Sequence, residues 1–258
     1  RRVLLQVQAE QHGAARPGGM AHLLHQRDGV VVGEVAQRGS RQITDGVVEE
    51  AELAGGLPAP STYRIAVGAD AAPQGKDQGK GVLLLSGHFL SLEMIARTFG
   101  FHCPAVGFYR PNDNEIMEYF QYHGRVRSNR YLIGKRDVRT MIKALNEKEV
   151  CFYLPDQDYG RNKAEFVPFF AVKETATTTG TLLFAGSANC ETVPIHCYRL
   201  PGYQGYRVDA LPAFDHFPSG DAKADVTRVN QWLEQGILAH PEQYMWLHRR
   251  FKTRPNPD

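Results

Sequence analysis

The sequence "GHFLSLE" at residues 87–93 contains a histidine and an acid, His88 and Glu93, five positions apart. An imidazole can take a proton from a hydroxyl group near neutral pH, and a neighbouring carboxylate can fix its tautomer and stabilise the imidazolium. The pattern therefore indicates a general base, His88, with Glu93 as its orienting partner. The other interpretation that the residue types allow is a core histidine with an unrelated acid nearby.

The spacing alone is weak evidence, because ten histidines and 28 acids make chance matches to H-x-x-x-x-[DE] expected. A second match joins His216 to Asp221 in "HFPSGD", where Pro218 and Gly220 predict a turn. His88 differs because it follows the apolar run "GVLLLSG", which is typical of a strand buried on both faces. Ligands in open α/β sheets bind beyond the carboxyl ends of the strands.

Polar residues also follow two later apolar runs. Arg110 ends "GFYR", and "PDQDYGR" after "VCFYL" contains Asp156, Asp158 and Arg161. In a parallel sheet these strand ends meet at one edge, so we expect the side chains to converge there with His88. Each residue also has a plain structural interpretation, as a helix cap, a surface arginine or a turn residue.

The elements that would position these residues alternate along the chain. Strands are predicted near 81–87, 104–109, 150–155, 192–200 and 206–214. Helical spacing is present in 89–99, 111–124, 137–149 and 225–240, and 175–189 could be a packed helix. This alternation predicts an α/β fold with a largely parallel central sheet and flanking helices.

The chain has two parts of different composition. All thirteen Phe and both Trp lie after residue 80, while residues 1–80 hold twelve of the 25 Gly. We therefore expect residues 1–80 to be weakly ordered or to come from a non-native reading frame, and residues 81–258 to be the functional domain.

Several function classes have little support. The net charge of +2 gives no argument for nucleic acid, and the sequence has no apolar segment of about 18 residues that could cross a bilayer. The serine-hydrolase elbow, the phosphate-binding P-loop and metal-ligand spacings are absent from the sequence. The four cysteines have no C-x-x-C spacing and are predicted to be buried, reduced thiols.

A set of motifs in collinear order carries a resemblance that covers about residues 79–256. These motifs are "GHFLSLE", "YRPNDN", "GRVRSN", "PDQDYGR", "PFFAV", "ATTTGT" and "PEQYMWLHRRFKTRP". Together they resemble the late acyltransferases of lipid A biosynthesis, and the lauroyl-transferring members in particular. That family is a branch of the lysophospholipid acyltransferases with an H-x-x-x-x-[DE] motif.

The resemblance implies transfer of a fatty acyl chain from acyl carrier protein to a hydroxyacyl chain of a Kdo-bearing lipid A precursor, without a cofactor or metal. It implies His88 as general base and Glu93 as its partner. It implies substrate contacts at Phe89, Tyr109, Arg110, Arg125, Asp156, Gln157, Asp158 and Arg161. The implied location is the cytoplasmic face of the inner membrane of a Gram-negative bacterium.

Two alternatives remain open at this stage. One is a sister transferase with another chain length, myristoyl or palmitoleoyl, or another acceptor position. The other is an inactive lipid-binding remnant. The family usually begins with an apolar anchoring helix, and residues 1–80 do not have that pattern.

Overall fold

A computed structural model describes residues 2–9, 30–31, 63–68, 79–202 and 205–255. Near the N-terminus, β1 (Arg2–Ala9) pairs antiparallel with β2 (Val30–Val31) and β3 (Tyr63–Gly68). Most of residues 1–80 lies outside the described residues, so the expectation for that part of the chain stays a prediction.

The later strands follow in chain order. They are β4 (Gly81–Leu85), β5 (Val106–Tyr109), β6 (Tyr131–Gly134), β7 (Val150–Tyr153), β8 (Ala164–Phe169), β9 (Val172–Thr178), β10 (Cys190–Arg199) and β11 (Tyr206–Ala210). Six of them form the central sheet in the order β11-β10-β4-β7-β5-β6, and β8 and β9 form a separate antiparallel pair. All neighbours in the central sheet are parallel except β10 and β11, which confirms the predicted α/β class.

The part described after residue 78 also contains five helices and a short 3₁₀ turn. The helices are α1 (Leu92–His102), α2 (Glu115–Val126), α3 (Val138–Asn146), α4 (Gly180–Ser187) and α5 (Ala222–Ala239), and the 3₁₀ turn is Pro241–Gln243. Three helices begin at a side-chain cap, because the carboxylates of Asp137 and Asp221 and the amide oxygen of Asn114 accept main-chain N–H groups of the first turn.

The core lies on both faces of the central sheet, as the continuous apolar run of β4 predicts. Val82 and Leu84 pack in one cluster, and Leu83 and Leu85 pack in the other, because successive side chains of a strand point to opposite faces. All four are fully buried. The sheet edge beyond Leu85 is therefore held rigidly.

The structure corrects the predicted elements in three places. Strands β6 and β8 were not predicted, and residues 175–178 of the predicted helix form the end of β9. The β-branched threonines of that segment pair with β8, and the helix begins only at Gly180. The four cysteines, all among the described residues, form no disulfide; Cys151 and Cys197 are buried as predicted, whereas Cys103 and Cys190 are only partly buried.

Among the residues that the structure describes, none of the helices is both long and apolar enough to cross a bilayer.

Candidate active site

A cavity of about 360 Å³ opens where the parallel strands of the central sheet end. His88 follows β4, Arg110 follows β5, Lys135 follows β6 and Gln157 follows β7, and all four line the cavity. Helices α1 and α2 contribute Glu93 and Arg125 among others, and residues of β5, β6 and β7 complete the walls. The expected convergence at one sheet edge is confirmed for His88, Arg110 and Asp156, whose carboxylate contacts the His88 ring.

The imidazole of His88 is held by the buried carboxylate of Asp156. Its Nδ1 lies 2.6 Å from Oδ1 of Asp156, and its main-chain N–H donates to Oδ2 at 2.7 Å. The hydroxyl of Tyr244 donates to the same Oδ2 at 3.0 Å. Because a carboxylate oxygen can only accept, Nδ1 carries the hydrogen of this contact, and Nε2 is the ring nitrogen that remains for other partners.

These contacts keep Asp156 ionised although it has no exposure to solvent. Burial raises the pKa of Asp156, but the hydrogen bonds and charge of His88 and the hydroxyl of Tyr244 outweigh it, so the pKa lies below its ordinary value. Burial and the neighbouring Asp156 raise the pKa of Tyr244, which stays a hydrogen-bond donor. His88 and Tyr244 are thus both hydrogen-bonded to one ionised carboxylate, that of Asp156.

Asp156, and not Glu93, is the carboxylate that contacts the imidazole, and this corrects the sequence prediction. Glu93 lies in the first turn of α1 and pairs with Arg125 of α2, whose Nε donates to Oε2 at 3.0 Å and whose second nitrogen also donates to Glu93. Asp156 follows β7, which is the sheet neighbour of β4, so the fold brings it directly beside His88.

The amide group of Gln157 lies between two imidazoles. Its Nε2 is 3.2 Å from Nε2 of His88 and 3.5 Å from Nδ1 of His248. The hydroxyl of Tyr159 donates to the amide oxygen of Gln157 at 3.3 Å, which leaves the NH₂ group for the two rings. Gln157 therefore covers the nitrogen of His88 that a general base would use.

His248 is a site residue that the sequence prediction missed. Its ring lies edge-on to that of His88 with centroids 4.5 Å apart. Burial and His88 lower the pKa of His248, which keeps it neutral. The segment that carries it is joined to the His88 loop by main-chain hydrogen bonds, from Leu90 N to Gln243 O and from Met245 N to His88 O. No local pattern marks this pairing, and only the resemblance motif at 241–255 hinted at it.

Of the eight predicted substrate-contact residues, Asp156 is buried behind His88 and does not line the cavity, and the other seven divide into two groups. Tyr109, Arg110, Arg125 and Gln157 line the cavity. Burial and Glu118, which accepts from the phenol at 2.7 Å, raise the pKa of Tyr109 to about 12. The guanidinium of Arg125 lies 5.9 Å from the centre of the Tyr109 ring, within cation–π distance.

The second group lies away from the cavity walls. Phe89 is a core residue that packs edge-on against Tyr244. Asp158 accepts from the N–H and the hydroxyl of Thr253, both at 2.9 Å. Arg161 donates to the main-chain oxygen of Pro255. Asp158 and Arg161 therefore fasten the C-terminal segment that also carries His248.

One of the basic residues near the C-terminus belongs to the core. Arg250 is buried, donates to Thr177 at 2.7 Å and lies over the ring of Phe169. The cationic side chains that line the cavity are instead Arg110, Arg125 and Lys135. The site therefore combines an oriented imidazole with groups that attract anions.

The chain was compared with known proteins. Residues 51–253 match the family described as "Bacterial lipid A biosynthesis acyltransferase". The lipid A biosynthesis lauroyltransferase of Escherichia coli K12 is 47% identical over 178 residues, which cover 69% of this chain and 58% of that relative. A lipid A biosynthesis acyltransferase of Haemophilus influenzae is 45% identical over 182 residues, covering 70% and 58%. The lipid A biosynthesis palmitoleoyltransferase of E. coli K12 is 39% identical over 188 residues, covering 73% and 61%.

This chain thus spans about three-fifths of the length of the curated relatives that it matches. The matched region contains the whole central sheet and every residue of the cavity described above. The chain therefore belongs to the bacterial lipid A biosynthesis acyltransferase family.

Proposed function

We propose that this protein transfers a fatty acyl chain, lauroyl in the first instance, from acyl carrier protein to a hydroxyl group on a hydroxyacyl chain of a Kdo-bearing lipid A precursor. The observation that carries the proposal is the imidazole of His88, which is fixed by Asp156 at the end of β4 and directs Nε2 into the cavity. The 47% identity to a lauroyltransferase supports the choice of donor chain.

The proposed reaction begins when the acceptor hydroxyl replaces the Gln157 amide at Nε2 of His88. His88 takes the proton as the hydroxyl oxygen attacks the thioester carbonyl, and the C–O bond forms. The tetrahedral intermediate collapses, the C–S bond breaks, and the imidazolium returns the proton to the departing thiolate. A positioned general base of this kind accelerates a reaction by roughly 10²–10⁴-fold.

The charged groups of the cavity have separate roles in this proposal. Asp156 keeps the proton on Nδ1 and stabilises the imidazolium, which is the electrostatic task of the buried acid in a hydrolase triad. Arg125, held by Glu93, supplies positive charge for the oxyanion or for a phosphate of the acceptor. Glu93 therefore acts through Arg125. The working location that we propose is the cytoplasmic face of the inner membrane.

The test is an acyl-transfer assay with the purified chain, lauroyl carrier protein and the tetra-acylated Kdo-lipid dispersed in detergent. We expect His88→Ala to lower the rate by about 10²–10⁴-fold. His216→Ala is the matched control, because His216 belongs to the other H-x-x-x-x-[DE] match and is exposed to solvent. Circular dichroism of each variant confirms that it is folded.

Three results would contradict parts of the proposal. Equal product from His88→Ala would exclude His88 as the base. Faster transfer from a myristoyl or palmitoleoyl donor would favour the sister transferases, one of which is represented by the palmitoleoyltransferase relative. An absence of product from the folded wild-type chain would favour the lipid-binding remnant.

A further inference from the structure

Helix α2 (Glu115–Val126) has its apolar side facing solvent. None of its residues is buried. Ile116, Met117, Tyr119 and Phe120 are each more than half exposed, and Tyr122 is also exposed. Ile116, Tyr119 and Phe120 follow the spacing that places residues on one helical face. Five large apolar side chains thus cover one surface of a helix of twelve residues.

The opposite side of the same helix is polar and faces the protein. Glu118 accepts from the hydroxyl of Tyr109 and from the N–H of Asn112, Gln121 donates to the main-chain oxygen of Arg110, and Arg125 binds Glu93. A helix on the surface of a water-soluble domain normally has the reverse orientation, with its apolar stripe toward the core. This arrangement leaves the apolar face of α2 available to a partner.

We propose that the exposed face of α2 binds the interface of a lipid bilayer; this choice of partner rests on the proposed function. Its residue types fit that environment, because tyrosine and phenylalanine are favoured where an apolar surface meets lipid headgroups. The charge also fits. Arg110, Arg125 and Lys135 line the adjoining cavity. Arg125 pairs with Glu93 and Arg110 pairs with Asp113, so these five groups together carry one net positive charge toward the anionic headgroups of a bilayer.

Helix α2 lies beside the cavity of the candidate site. Gln121 and Arg125 form part of the cavity wall that also contains His88. A helix that lies on the bilayer through its apolar face therefore brings the cavity to the membrane surface. The acceptor could then reach His88 while its existing acyl chains stay in lipid.

The test uses tryptophan reporters in the full 258-residue chain. Phe120→Trp on α2 is compared with Leu238→Trp on α5, because both native side chains are 66% exposed. Each variant is mixed with brominated phosphatidylcholine vesicles, with and without phosphatidylglycerol, and the quenching of the two native tryptophans in the wild type is subtracted. We expect quenching of the Phe120→Trp signal, with none for Leu238→Trp.

A second measurement tests whether the face is needed for binding. We expect Ile116→Asn/Phe120→Asn to bind vesicles roughly tenfold more weakly than the wild type, because two apolar contacts are removed. Leu183→Asn/Leu238→Asn, which removes two exposed leucines elsewhere, should bind as the wild type does. Circular dichroism confirms the fold of both double variants.

Three outcomes would overturn the inference. They are an unquenched Phe120→Trp reporter, equal vesicle binding by the α2 double variant, and sedimentation that shows a dimer whose formation requires Ile116 and Phe120. Acyl transfer measured in detergent separates the two proposals. Transfer without α2-dependent vesicle binding would reject this inference alone, and vesicle binding without transfer would reject the proposed function alone.

Discussion

The two ring nitrogens of His88 have different partners, and the difference defines what each partner contributes. Nδ1 faces Asp156, which has no exposure and also binds the main-chain N–H of His88. Nε2 faces the amide of Gln157, which lines the cavity. In the proposed reaction Asp156 is thus a positioning residue behind His88, and Gln157 occupies the position that the acceptor hydroxyl would take.

Replacement of Asp156 by asparagine is expected to lower kcat by about 10²–10⁴-fold with little change in KM, since the imidazolium loses its charge partner and the tautomer is no longer fixed. The measurement is acyl transfer together with ¹⁵N NMR of the His88 ring, which reports the tautomer. Asp158→Asn is the control from the same loop, because Asp158 binds Thr253 and not the imidazole. A normal tautomer and normal kcat in Asp156→Asn would contradict this role.

Replacement of Gln157 by glutamate places a negative charge between His88 and His248. The protonated forms of His88 and His248 then become more stable. The fall in the transfer rate at acidic pH, where the base is protonated, should therefore begin at a higher pH than in the wild type. The folded-state pKa of His248, now below its ordinary value, should rise in the same variant. Gln157→Met, which removes the donors without adding charge, should leave the pH of this fall much closer to that of the wild type. An unchanged pH of the fall in Gln157→Glu would show that this amide is not next to the working base.

The parallel strands explain why some of the site could be predicted from sequence. The apolar run of β4 indicates a strand buried on both faces, and residues beyond the ends of parallel strands meet at one edge. His88, Arg110 and Asp156 were placed at this edge by that argument. That Asp156, and not Glu93, contacts the imidazole was not predicted, because chain order does not reveal that β7 lies next to β4 while β5 and β6 lie farther along the sheet.

The C-terminal part of the site was less accessible to sequence analysis for a similar reason. His248 reaches the His88 ring because main-chain hydrogen bonds join residues 243–245 to the His88 loop, and such bonds carry no side-chain signal. Helix α2 was recognised from its cap and spacing. The orientation of α2 was not predicted, because an amphipathic pattern indicates that a helix has an apolar and a polar face but does not indicate which face points outward.

The start of β4 depends on a close approach that only glycine permits. A Cβ atom on Gly81 would lie 2.1 Å from the main-chain oxygen of Leu145, so Gly81→Ala is expected to reduce the free energy of unfolding by about 1–3 kcal/mol. Gly124→Ala is the matched control in α2, since nothing lies within 4 Å of its added Cβ. It should increase the free energy of unfolding by up to about 1 kcal/mol. The free energy of unfolding of both variants is measured by urea denaturation. Equal changes in the two variants would show that the close approach at Gly81 does not determine the effect of the substitution.

The stability of the whole molecule should depend on two histidines that are held neutral. Burial lowers the pKa of His196. Its Nε2 lies 3.0 Å from the main-chain oxygen of Trp232, and its ring stacks on the Trp232 ring. Burial and His88 lower the pKa of His248. The unfolded chain therefore binds more protons than the folded chain in mildly acidic solution.

The sign of the resulting pH dependence follows from that difference in bound protons. Stability from each histidine is fully present above the unfolded-state pKa of about 6.5 and is lost as the pH falls from there through the lower folded-state pKa. We expect the free energy of unfolding, measured by urea denaturation, to fall on acidification below about pH 6.5 and to fall less steeply in His196→Gln. His216→Gln, at an exposed site, should leave the slope unchanged. A slope that does not change in His196→Gln would place the acid sensitivity at other groups.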